Sequence, residues 1–186
     1  MAIGMKLIKA QGEYDLTASR FFGDPVIPLR MEDEIEADEV FLAQIRLADI
    51  AHLDTENRLP HEGWLYFFIK AADGSAWTPK EAVVRYSKDE PRMIIDEFNL
   101  QSPIPEGLNC PFLVEFAPVD EEADGMKLLG EPYDWGYAET PPRLLLQYDP
   151  LATESSFLYE MDGVAYFFFG KDKEGFTDVV WHAEYS

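Results

Sequence analysis

Gly63-Trp64-Leu65-Tyr66-Phe67-Phe68-Ile69 returns one hundred residues on as Gly163-Val164-Ala165-Tyr166-Phe167-Phe168-Phe169. The reading of this echo decides what the chain can build. It does not stand alone. Phe21-Phe22-Gly23-Asp24-Pro25 is followed later by Leu128-Leu129-Gly130-Glu131-Pro132, and Phe41-Leu42-Ala43-Gln44-Ile45 by Leu144-Leu145-Leu146-Gln147-Tyr148. Val83-Val84-Arg85-Tyr86 has a weaker partner in Val179-Val180-Trp181-His182. The order is the same both times, so the chain reads as one unit used twice. Unit one spans about residues 5–90, a proline-bearing connector about 91–111, and unit two about 112–186, all within a single domain.

Each aromatic segment reads as a strand, being rich in the residue types that favour one. Strict alternation would place Tyr66 and Phe68 on one face and Phe67 on the other. A strand that is apolar at consecutive positions needs cover on both faces. One core shared by the two units, built around the two aromatic strands, meets that need. Residues 5–25 slide onto 112–132 without a gap, setting Met5–Ala10 over the alternating stretch Phe112–Ala117, so the first segment reads as a strand too. Further strands are expected at Phe41–Leu47, Ala82–Tyr86, Leu144–Tyr148 and Val179–Trp181, about eight in all. No βαβ rhythm appears, which argues against a parallel nucleotide-binding sheet.

The totals narrow the function classes. A chain of 186 residues, 47% hydrophobic, with thirteen Phe, nine Tyr and four Trp, can build a core without staples and is not disordered. Its apolar runs fall far short of the roughly 20 residues of a membrane helix. The single cysteine, Cys110, excludes an intrachain disulfide and a cysteine metal cage, and a cytoplasmic setting is expected. Thirty-six acidic against fifteen basic side chains leave a net charge of −21. Such a surface repels polyanions, so neither nucleic acid nor membrane is an expected partner, whereas a basic protein would be attracted.

The charge concentrates in two stretches. Glu32, Asp33, Glu34, Glu36, Asp38 and Glu39 form the first; Asp120, Glu121, Glu122 and Asp124 form the second. These are the candidate partner-binding residues. The second resembles a calcium loop in spacing, with Gly125 and Glu131 in step, but Glu122 and Lys127 depart from that pattern and a solvated loop is the stronger reading. The three histidines (His52, His61 and His182) show no ligand spacing on one element, so no metal site is expected. Phosphate-loop and nucleophile-elbow motifs are absent. No catalytic residue and no cofactor is assigned.

Gln44 and Gln147 occupy the same place in both units, in the middle of apolar strands. A buried amide must have its donors and acceptor satisfied. Either each ties down the backbone of a neighbouring loop, or the two line a ligand cleft with Arg20, Arg143, Tyr66 and Tyr166. Asp24 and Glu131, set between Gly and Pro, read as acceptors of backbone N–H groups rather than as a carboxylate pair.

These motifs resemble the YwqG-like family of bacterial proteins, a domain of unknown function. The resemblance is carried by Ser19-Arg20-Phe21-Phe22-Gly23-Asp24-Pro25 with Pro28, by Phe41 to Ile45, and by Leu59-Pro60 ahead of Gly63 to Phe68. Leu144 to Asp149, Gly163 to Phe169 and Phe176 to Val180 extend it. Phe22 and Arg46 depart from the usual glycine and asparagine, and residues 157–162 replace a usual Trp-Gly-Asp segment. The resemblance implies an α+β, mostly antiparallel fold with internal duplication, transfers no activity, and suggests toxin–immunity settings for some relatives. The fold expected is therefore α+β, with two pseudo-symmetric units of about four strands each around one aromatic-rich core. The function expected is a non-enzymatic cytoplasmic interaction protein that uses its acidic surface to bind a basic protein partner, an immunity or antitoxin protein being one concrete form. A small-ligand binder or enzyme with its site at the junction of the units is the alternative.

Overall fold

A computed structural model describes residues 1–72, 75–98, 110–136, 140–149, 163–170 and 175–185. Among these residues twelve strands form: β1 (Ala2–Lys9), β2 (Arg20–Phe21), β3 (Val26–Ile27), β4 (Glu39–Arg46), β5 (Trp64–Ala72) and β6 (Ser75–Ser87) come first. They are followed by β7 (Met93–Ile94), β8 (Phe112–Val119), β9 (Lys127–Leu128), β10 (Leu144–Tyr148), β11 (Gly163–Phe168) and β12 (Val180–Tyr185). Two short helices lie among the described residues: a 3-10 turn, Leu29–Glu34, and a four-residue α-helix, α1 (Leu47–Ile50).

Ten strands join in one sheet, in the order β12-β11-β10-β9-β1-β8-β2-β4-β5-β6, and every pairing is antiparallel. β3 and β7 make a separate small ribbon. The outermost strands β6 and β12 curl round to touch, which nearly closes the sheet into a barrel. Phe67 and Phe167 meet edge to face inside it, their ring centroids 5.4 Å apart.

This overturns the expected α+β fold of two units. The sheet is almost wholly β, and it is continuous. The reason lies in β1 and β8, which pair along their full length from Ala2↔Val119 to Lys9↔Phe112. β1 then joins β9, and β8 joins β2. The opening strand of each sequence unit is thereby built into the other unit's half of the sheet. Neither half has a sheet of its own to close. The helices Leu29–Glu34 and Leu47–Ile50, six and four residues long, are too short to make a helical layer.

Consecutive aromatics do receive cover on both faces. Inside the barrel, Phe67 and Phe167 pack with Phe21, Ala43, Leu128 and Leu146. On the other face, Tyr66 and Phe68 pack with Phe41 under Ile27 of β3 and Met31 of the 3-10 turn. Tyr166 and Phe168 pack with Leu144 and Trp135. Gly63 sets up entry into β5 at φ 88°, where a Cβ would lie 2.4 Å from the Ser87 carbonyl oxygen. Only glycine fits there.

Candidate functional site

Directly opposed residues on antiparallel strands share a face. The register therefore lays out two rows of polar side chains across the sheet. Arg20 lies opposite Gln44, Gln44 opposite Tyr66, and Tyr66 opposite Arg85. In the other half, Lys127 lies opposite Gln147, Gln147 opposite Tyr166, and Tyr166 opposite His182. The tentative ligand residues Arg20, Gln44 and Tyr66 thus come together, as do Gln147 and Tyr166. Arg143 does not join them: it is exposed and lays its guanidinium over the Phe169 ring at 4.8 Å.

Both rows hold loops. Gln44 is fully buried; its Nε2 donates to the Leu16 and Ala18 carbonyls at 3.0 Å each, and its Oε1 accepts from Val26 N–H at 3.3 Å. The Arg20 guanidinium donates to the Leu16 and Asp24 carbonyls. Gln147 Nε2 donates to the Gly125 and Ala123 carbonyls at 2.8 and 3.3 Å, while its Oε1 accepts from Tyr133 N–H at 2.8 Å. Lys127 Nζ donates to the Glu121 and Ala123 carbonyls at 2.8 and 2.6 Å. Each buried amide uses both ends on backbone, which meets the demand of burial.

The rows differ at their tyrosines. Tyr166 donates to the Tyr133 carbonyl at 3.0 Å. The Tyr66 hydroxyl and Arg20 Nε are buried without a hydrogen-bond partner. Burial pushes the Tyr66 phenol well above its ordinary range, against the pull of Arg20. It also lowers the affinity of the Arg20 guanidinium for its proton. Lys127 is pushed down to about 8 by burial, against the pull of Glu121, Glu122, Asp124 and Glu131.

Lys127 was not among the sequence candidates. The gapless overlay of 5–25 on 112–132 sets it directly over Arg20, so the signal was present: a cation flanking the same turn in both halves.

The acidic stretches divide. Glu32, Asp33, Glu34 and Asp38 are exposed, as is Glu36, which pairs with Lys70 at 2.8 Å. Glu39 turns inward; its carboxylate accepts from the two terminal guanidinium nitrogens of Arg85, at 2.7 and 2.8 Å. In the second stretch Asp120, Glu122 and Asp124 are exposed, while Glu121 is half-buried and binds the Met1 amino group. Alternation explains this. Lys127 and Gln147 draw the carbonyls of Glu121, Ala123 and Gly125 inward, and the residues between them carry carboxylates outward.

Among the described residues no group of three or more His, Cys, Asp or Glu side chains is placed to hold a metal ion. No helix there is long and apolar enough to cross a membrane. His182 stacks on Tyr166, and His61 lies 3.9 Å from the buried Asp54 carboxylate. Asp24, read as a backbone acceptor, takes the Phe98 N–H at 3.1 Å. A family model, that of the domain of unknown function DUF1963, matches residues 19–122, more than half of the chain. No curated protein matches the sequence.

Proposed function

Because the chain belongs to the DUF1963 family, a domain of unknown function, we propose a role from its own geometry: a non-enzymatic interaction protein whose acidic surface engages a basic protein partner. The observation that carries this is the 120–124 loop. Its backbone is tied inward by two buried side chains, Lys127 and Gln147, so the carboxylates of Asp120, Glu122 and Asp124 stand in solvent on a loop whose backbone is already ordered before binding. The exposed carboxylates of 32–38 add to the field, and a net charge of −21 supplies long-range steering. Blocking the cationic active site of a toxin is an activity such a surface suits, in a cytoplasmic setting. The YwqG-like likeness of the motifs is compatible with that and supplies no activity of its own.

Titration against a panel of basic proteins at low and high salt tests the reading. Asp120→Asn/Glu122→Gln/Asp124→Asn should abolish salt-sensitive binding. A control carrying equal neutralisation at the exposed Glu13, Glu56 and Glu97 should keep most of it. Equal loss from both variants would reduce the effect to net charge and end the proposal.

One observation favours the alternative of a small-ligand site: the unpartnered Arg20 Nε and Tyr66 hydroxyl beside Gln44. Both are buried, Tyr66 among Ile27 and Met31 and Arg20 against the Leu16 carbonyl, so a ligand would have to displace that cover to reach them. Hydrogen exchange of the Ala18 and Val26 amides with and without a candidate ligand decides it; unchanged exchange argues against such entry.

A further inference from the structure

We propose that the groove beside β1 receives an extended, basic segment of the protein partner as an added strand. This rests on the acidic-surface reading and specifies the form of what binds. β1 pairs with β8 along all eight residues, but β9 covers its other edge only at Ile3 and Gly4. The last contact on that edge is Met5 N–H to the Met126 carbonyl, at 2.8 Å. There the incoming chain leaves β1, because Gly125 sits at φ 74° and its carbonyl is drawn to Gln147.

In an antiparallel strand, alternate residues aim their N–H and C=O groups at the same edge. Met5 faces the β9 edge, so Leu7 and Lys9 do too. No described strand pairs with them there. An open groove of about 920 Å³ runs alongside, lined in part by Leu7, Lys9, Phe116, Glu115 and Asp124. Unpaired strand edges are templates for an incoming chain, with main-chain bonds supplying affinity and side chains supplying specificity. The other open edge of the ribbon, on β8, is poorer: Val114 N–H points to Ser19 on that side, so Pro118, which has no N–H, falls on it as well.

Charge sets the occupant. Lys6 stands opposite Glu115 in the register, a cross-strand pair of opposite sign. Asp124 then lies at one end of the groove with Asp120 and Glu122 in the same loop, and Lys9 lies on β1 toward the other. A segment with lysine or arginine at the Asp124 end and no cation beside Lys9 is matched.

The test uses the intact protein and a labelled synthetic peptide with two lysines at one end and alternating threonine and valine over the rest, beside the same peptide N-methylated at alternate residues. The unmethylated peptide should bind at low salt, slow amide exchange at Leu7 and Lys9, and leave Lys6 and Ile8, already bonded to β8, unchanged. Methylation should weaken binding about tenfold or more, and Asp124→Asn should weaken it too. Binding that survives methylation, or that leaves Leu7 and Lys9 exchange unaltered, overturns the added strand while the acidic-surface reading stands. Absence of any peptide binding at low salt overturns both.

Discussion

Single buried polar atoms separate the two rows most sharply. The Tyr66 hydroxyl is buried and unpartnered, whereas that of Tyr166 donates to the Tyr133 carbonyl. A buried hydroxyl without a partner costs about 1–3 kcal/mol, and a made bond contributes about 1. Tyr66→Phe should therefore be neutral or stabilising, and Tyr166→Phe destabilising by about 1 kcal/mol, in paired urea denaturation curves. A marked loss in Tyr66→Phe would show the hydroxyl to have a partner. Gln44→Leu should cost more, about 2–4 kcal/mol, since it strands the Leu16 and Ala18 carbonyls and the Val26 N–H together. Lys127 supplies a pH signature. Its folded value of about 8 lies below the ordinary 10.5, so between those values the unfolded chain binds more protons than the folded one. The contribution of this residue to stability therefore rises with pH from about 8 to 10.5 and is flat below 8. Wild type should gain on Lys127→Met across that window in thermal melts taken at stepped pH. Parallel curves would contradict the assignment.

At the scale of elements, the entry into β5 matters because that strand feeds both cores. Gly63 turns there at a left-handed φ, against the Ser87 carbonyl and the Tyr86 ring. An alanine would add left-handed strain of about 1–2 kcal/mol to a contact that backbone must yield to relieve. Gly63→Ala should cost more than about 2 kcal/mol in denaturant midpoint measurements. Gly12, also at positive φ but with open space around it, should cost only the strain. The strands themselves were legible in local pattern. β4, β5, β8, β10 and β11 form within a residue or two of the positions expected from aromatic and β-branched runs. The short β3 and β7 were not, because a two-residue ribbon such as Val26-Ile27 with Met93-Ile94 has no period to read. Residues 99–109 and 150–162, with most of the connector and the segment that departs from the family pattern, lie outside the described residues.

For the molecule as a whole, self-repulsion at a net charge of −21 should dominate its response to salt. Raising ionic strength from about 0.01 to about 1 M shortens the screening length roughly tenfold. The melting temperature should climb over that range in scanning calorimetry, and a fall would mean that internal ion pairs such as Glu39–Arg85 outweigh the surface. The sequence by itself determined the strand-forming runs, the double demand of each aromatic strand for cover, the acidity, and the positions of two buried glutamines, because each depends on side-chain chemistry and near neighbours. Only the tertiary structure decided that β1 and β8 cross, making one nearly closed sheet where two units of an α+β fold were expected. It also decided that Glu39 turns inward, that Arg143 stands apart from Gln147, and that Lys127 underpins the acidic loop. Those outcomes depend on which strand edge finds which partner. Edge pairing between residues more than a hundred positions apart, as in Ala2↔Val119, leaves no local trace in the residues that make it.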